Sequence, residues 1–229
     1  MAEWKIQQLV CVLNYQPIME IGRHAEEFKS NIYTRFKHIE LVRPQQFGPV
    51  QVVNFSYSFK HADYKYTVNM APDSLTIIAE IGELVTDSVF EKEITAYVDN
   101  IFYIWDAFKR CIKLYSLTRA GLVAVFLGDP NGICVKTDGQ WNGFYHADRK
   151  FKFDKMKIIN EKDDIEVVDN IFYDYENDIE TLKPVAPKRI IDIALIPKSI
   201  GVVATENVED LLRAMRTRLD ACFVEMFNV

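Results

Sequence analysis

Apolar positions recur along this chain with two periods, and the switches between them mark the expected elements. Residues 5–15 are apolar on both sides of an extended chain, with Leu9, Cys11 and Leu13 on one face and Val10 and Val12 on the other. That pattern suits a central strand. After Pro17 the period lengthens: Ala25, Phe28, Ile32 and Phe36 fall on one helical stripe, with Glu26, Lys29 and Arg35 outside it. VQVVNFSYSF, YKYTVNM and SLTIIAEI then read as a meander of strands. Their connections, KHAD and APDS, carry the small, Asp and Pro residues that turns favour.

Ser88 and Glu91 have the spacing of a capping box, which predicts a long helix over 88–115. Its apolar arc is wide. Phe90, Ile94, Val98, Trp105 and Ile112 form one stripe, and Tyr97, Ile101, Ile104, Phe108 and Cys111 form the adjoining one. One stripe suffices to cover a sheet, so the second predicts burial between layers or against another copy of the chain. On this reading Tyr97, Ile104, Phe108 and Cys111 mark the contact of a homo-oligomer, with a dimer favoured.

The second half opens with LTRAGLVAVFLG (117–128), another two-faced strand, stopped by DPNG. ICVKTDGQWNGFYHAD follows, rich in turn residues, where the first half has its helix. Charged strands come next, then RIIDIALIP and SIGVVA as an expected hairpin. A last helix, about 206–227, sets Val208, Leu211, Leu212, Met215, Leu219, Cys222, Phe223 and Met226 on one face. The halves also resemble each other. LVCVLNYQP (9–17) aligns with LVAVFLGDP (122–130), and PDSLTIIA (72–79) aligns with PKSIGVVA (197–204), in the same order. These observations predict one α+β domain over 1–229, with an antiparallel sheet and helices packed on one face. It would be a degenerate two-fold repeat of β-α-β-β-β-α type, with halves 5–116 and 117–229, Leu9 over Leu122 and Ser74 over Ser199.

A strand LTRAGLVAVFL after a long helix with a central Trp, then IIDIAL and a terminal helix with Leu212 and Phe223, resembles a sporadically distributed family of uncharacterised bacterial and archaeal proteins. Members of that family carry an LTRiGLRYiN-like strand and an iDiD-like strand before a final helix. This chain has Ala120 where an aliphatic residue is usual, Val123-Ala124 in place of an Arg-Tyr pair, and Ala194 at the second acid. The resemblance carries no catalytic residue with it.

Composition narrows the function classes. Hydrophobic residues make up 49% of the 229 and aromatics 13%, ample for a sizeable core. The net charge of −6 repels nucleic-acid backbones and anionic membranes, so such binding would need a local basic patch. No apolar run approaches the roughly 18 residues a membrane span requires, and the N-terminus lacks a signal-peptide pattern. The expectation is a soluble, cytoplasmic protein without a membrane partner. Cys11, Cys111, Cys134 and Cys222 are scattered, as small core residues in a reducing compartment are.

The chemistry-bearing candidates are few. Lys150, Lys152, Lys155 and Lys157 alternate with Phe151 and Phe153, as a strand lying on nucleic acid might be built. Residues 163–180 hold eight acids and no cation, so the preferred reading is a basic strand paired with an acidic one, with a bulge near Asp154-Lys155. Nucleic acid is disfavoured as a partner. Asp174, Glu176 and Asp178 alternate like calcium ligands, but Ile179 and Val185 stand where the loop needs Gly and Glu, so no metal is expected. No phosphate-loop, dinucleotide, nucleophile-elbow or zinc-protease motif is present, and no catalytic residue or cofactor is assigned. Trp141, Tyr145 and His146 could wall a small-molecule or nucleotide pocket; Asp192 either faces solvent or is a buried acid partnered by Arg119, read first as a structural ion pair and second as part of a ligand site. The leading expectation is a non-enzymatic, self-associating interaction module, analogous to those of bacterial defence or toxin–antitoxin systems. A small-ligand binder and a nucleic-acid binder through 149–162 are the alternatives.

Overall fold

The computed structural model describes residues 4–18, 20–47, 52–114, 116–128, 150–157, 165–174, 188–197, 203–204 and 208–227. The chain order is β1 (Trp4–Tyr15), a 3-10 turn (Ile21–His24), α1 (Ala25–Tyr33), β2 (Glu40–Phe47), β3 (Val52–His61), β4 (Tyr64–Met70), β5 (Ser74–Glu80) and α2 (Asp87–Cys111). It continues through β6 (Ser116–Gly128), β7 (Lys150–Lys157), β8 (Ile165–Asp174), β9 (Lys188–Pro197), β10 (Val203–Ala204) and α3 (Val208–Phe227). The fold is α+β: every described strand pair is antiparallel, in one sheet of order β2-β3-β4-β5-β1-β6-β9-β8-β7, with β10 also on β6.

Alternating burial along the strands assigns the faces. Leu9, Cys11, Leu13, Tyr57, Phe59, Tyr66, Val68, Leu75, Ile77, Leu122, Ala124 and Phe126 are buried. All three helices pack on that face. The Tyr57 hydroxyl donates to the Ala25 carbonyl of α1 at 2.8 Å, and the Tyr97 hydroxyl of α2 donates to the Ile77 carbonyl at 2.6 Å. Phe223 of α3 meets Phe126 at a centroid distance of 5.8 Å.

The width of the apolar arc on α2 follows from its neighbours. Phe28 of α1 packs edge-on against Phe108 at 5.8 Å on one flank, and Phe223 of α3 stacks on Phe90 at 4.1 Å on the other. A helix above a sheet and between two helices buries three sides, so both stripes belong to the core. Tyr97, Ile104 and Phe108 are fully buried and Cys111 is 8% exposed, all within one chain. This corrects the expected placement of these four at an oligomer contact. The helix also starts earlier than the capping box implies: Thr86, two residues before Ser88, is the N-cap, its Oγ1 accepting from the Val89 N–H at 3.2 Å. It ends at Cys111, where Ile112 turns extended.

Three further expectations need correction. RIIDIALIP and SIGVVA do not form a hairpin, because β9 and β10 both pair with β6. Reading outward from the central β1/β6 contact, β5, β4 and β3 follow on one side and β9, β8 and β7 on the other. β9 therefore holds beside β6 the place β5 holds beside β1, and the 72–79/197–204 alignment selects the wrong partner; Ser199 lies outside the described residues. β7 runs beside β8 as the charge pattern suggests, but in unbroken register from Lys150↔Tyr173 to Lys157↔Glu166, without the bulge at Asp154-Lys155. Only Lys157↔Glu166 sets opposite charges directly across this ladder, and Asp154↔Asp169 sets two acids opposite each other.

Candidate functional site

The face of the sheet away from the helices is the surface whose chemistry stands out. The register lines its side chains into rows. One row runs Ser58, Thr67, Ile78, Val10, Val123, flanked by Glu40 on one side and Asp192 on the other. The next runs Ser56, Asn69, Thr76, Val12, Gly121. Neither five-strand row contains a charge between its ends, and apart from buried Gly121 these side chains are half-buried. Charge reappears at the rim, where Lys60, Lys65, Glu80 and Arg119 are exposed and Lys65 Nζ meets Glu80 Oε1 at 3.0 Å. The helical layer is the opposite case, with Glu26, Glu27, Glu91, Lys92, Asp99 and Arg110 all exposed. One-sided antiparallel sheets usually turn polar and charged residues to water, so an uncharged aliphatic centre departs from the ordinary pattern.

Of the sequence-based pocket residues, Arg119 and Asp192 lie among the described residues. The register sets Asp192 opposite Val123, four residues along β6 from Arg119, about 13 Å at strand rise. Asp192 is half-buried and Arg119 exposed, so the two do not form the expected buried pair. Trp141, Tyr145 and His146 lie outside the described residues, as does the acidic stretch after Asp174. Lys150, Lys152, Lys155 and Lys157 lie on β7, the last strand of the sheet among the described residues. Lysine on an edge strand opposes pairing with another chain's strand. The other edge, β2, carries Arg43-Pro44 in a register shift between Val42 and Gln45, a second device with the same effect.

A polar seam runs inside the helical face, and the sequence reading missed it because its members sit one by one among apolar residues. Glu93 is 3% exposed and pairs with Lys92 at 3.1 Å. That contact raises the Lys92 ammonium above its usual value. Burial, then the hydrogen bond and charge of Glu93, push the Tyr64 hydroxyl up. Two turns on, Asn100 Nδ2 donates to the Tyr66 hydroxyl at 2.9 Å, while its Oδ1 is buried without a partner. His61 meets Phe36 edge-on at 5.0 Å and Tyr66 at 6.2 Å. Burial, then the Arg35 charge, lowers its pKa below the usual histidine value. Apart from Asn100 Oδ1, Tyr64, Tyr66, Glu93 and Asn100 meet one another across the α2–β4 contact.

Among the described residues no group of three or more His, Cys, Asp or Glu side chains could hold a metal ion. A shallow depression of about 410 Å³ follows the outer ridge of α2, lined by Ser88, Glu91, Lys92, Thr95, Ala96 and Asp99. Its described lining comes from one helix, which gives no convergent polar set of the kind small-molecule sites use. No described helix is long and apolar enough to cross a membrane. Comparison with protein-family models, curated proteins and solved structures returned no match.

Proposed function

We propose that this chain is a non-enzymatic interaction module that self-associates, as its lack of catalytic motifs suggests. The observation that carries the reading is the pair of uncharged rows on the helix-free face, centred on Val10, Val12, Ile78 and Val123. A protein of net charge −6 brings two copies together most easily through a surface that adds no like-charge repulsion. Interfaces are marked by depletion of charge at their centre, with a polar rim around it. Rows spread across five strands suit another macromolecular surface as their occupant. Buried thiols at Cys11 and Cys111 suit a cytoplasmic, reducing location. Light scattering on the full chain tests the reading. Self-association predicts a mass of twice 26.6 kDa at tens of micromolar. A single 26.6 kDa species across that range contradicts it.

A further inference from the structure

We infer that the second copy docks sheet on sheet, its own helix-free face against this one, in an isologous dimer centred on Val10, Val12, Ile78 and Val123. The inference rests on the self-association reading and specifies its surface. Three kinds of surface are available. The sheet edges are blunted, by Arg43-Pro44 and a register shift on β2 and by four lysines on β7. The helical layer is densely charged, with Glu26, Glu91, Lys92, Asp99 and Arg213 exposed. Among the described residues, the helix-free face offers an uncharged aliphatic centre.

Its size and shape suit another sheet. Two rows across five strands give an in-plane footprint of roughly 320 Å², from the strand spacing and rise. The rim residues Lys60, Lys65, Glu80 and Arg119 extend it toward the ~800 Å² per partner of a standard interface. A twisted sheet is saddle-shaped, and another sheet of the same hand packs on it about 10 Å away. The copy supplies that shape, an equally uncharged centre, and a rim in which Lys65 and Glu80 stand side by side, able to meet their counterparts with either sign. A partner rich in one sign of charge would instead leave its charges over Val10 and Val123.

The test compares Val10→Lys, Thr76→Lys and, on the helical layer, Asp99→Lys, each as the full chain. Circular dichroism melts accompany light scattering. Val10 and Thr76 are half-buried on the helix-free face, and in a monomer their lysine heads reach water. The expected result is that both face variants keep the native melt and weaken dimerisation at least about a hundredfold, while Asp99→Lys leaves it unchanged. Should Val10→Lys fail to fold, Thr76→Lys decides alone. A wild-type dimer that persists in Thr76→Lys overturns the docking surface but leaves self-association standing. A monomeric wild type overturns both.

Discussion

The hydroxyl of Tyr97 donates a 2.6 Å hydrogen bond to the backbone carbonyl of Ile77, pinning the middle of α2 to β5 from inside the core. Burial pushes this phenol well above its usual pKa, so it stays a donor at any ordinary pH. Tyr97→Phe leaves the carbonyl without this donor in a dry site. The expected loss is about 1–3 kcal/mol of unfolding free energy, with the oligomeric state unchanged. Urea denaturation with an unaltered m-value, read beside light scattering, checks both parts.

That one residue shows why the sequence was partly legible. Residues 97, 101, 104, 108 and 111 were readable as a buried stripe, and each is buried. What buries them was not readable, because periodicity counts apolar positions on one helix and is blind to its neighbours. Phe28 and Phe223, far from α2 in sequence, flank it on either side. The α+β class, α1, the first-half meander and α3 were legible for the same reason: their patterns are local. β2 was missed because Pro44 breaks a strand pattern that an edge bulge accommodates. The helix-free face was hidden in plain view, since Ser56, Thr67 and Thr76 look like ordinary exposed strand positions until the register joins them into rows.

The Tyr66–Asn100 contact allows a double-substitution cycle. Asn100 Nδ2 donates to Tyr66, and Asn100 Oδ1 is buried without a partner. Tyr66→Phe alone strands the whole amide and is expected to cost about 1–3 kcal/mol. Adding Asn100→Leu removes the stranded group, and the pair should return to within about 1 kcal/mol of the parent. A double variant no more stable than Tyr66→Phe would show that Asn100 is satisfied by other means.

Phe90 joins three elements, stacking on Phe223 at 4.1 Å and lying 5.7 Å from Phe126. Phe90→Ala opens a cavity between α2, α3 and β6, with an expected cost of about 3–5 kcal/mol. Phe90→Leu keeps most of the volume and should cost clearly less. Chemical denaturation of the two variants measures the ordering.

His61 gives the fold a pH dependence of defined sign. Its folded pKa lies below 6.5, first through burial and then through the Arg35 charge. The unfolded chain therefore binds this proton more readily, and stability falls as pH drops below 6.5 toward the folded pKa. Denaturation midpoints between pH 5 and 8 should slope downward on the acid side by less in His61→Gln than in the parent. Equal slopes would remove His61 from the account.

Two copies that meet through the helix-free face bring its methyl groups against those of the other chain. A sample mixing isotope-labelled and unlabelled full-length chains reports nuclear Overhauser effects that can arise only between copies. The expected result is such effects at the methyls of Val10, Val12, Ile78 and Val123, and none at the core methyls of Ile94 and Ile104. Effects confined to residues of α1, α2 or α3, or none in a sample that light scattering shows to be dimeric, would contradict it.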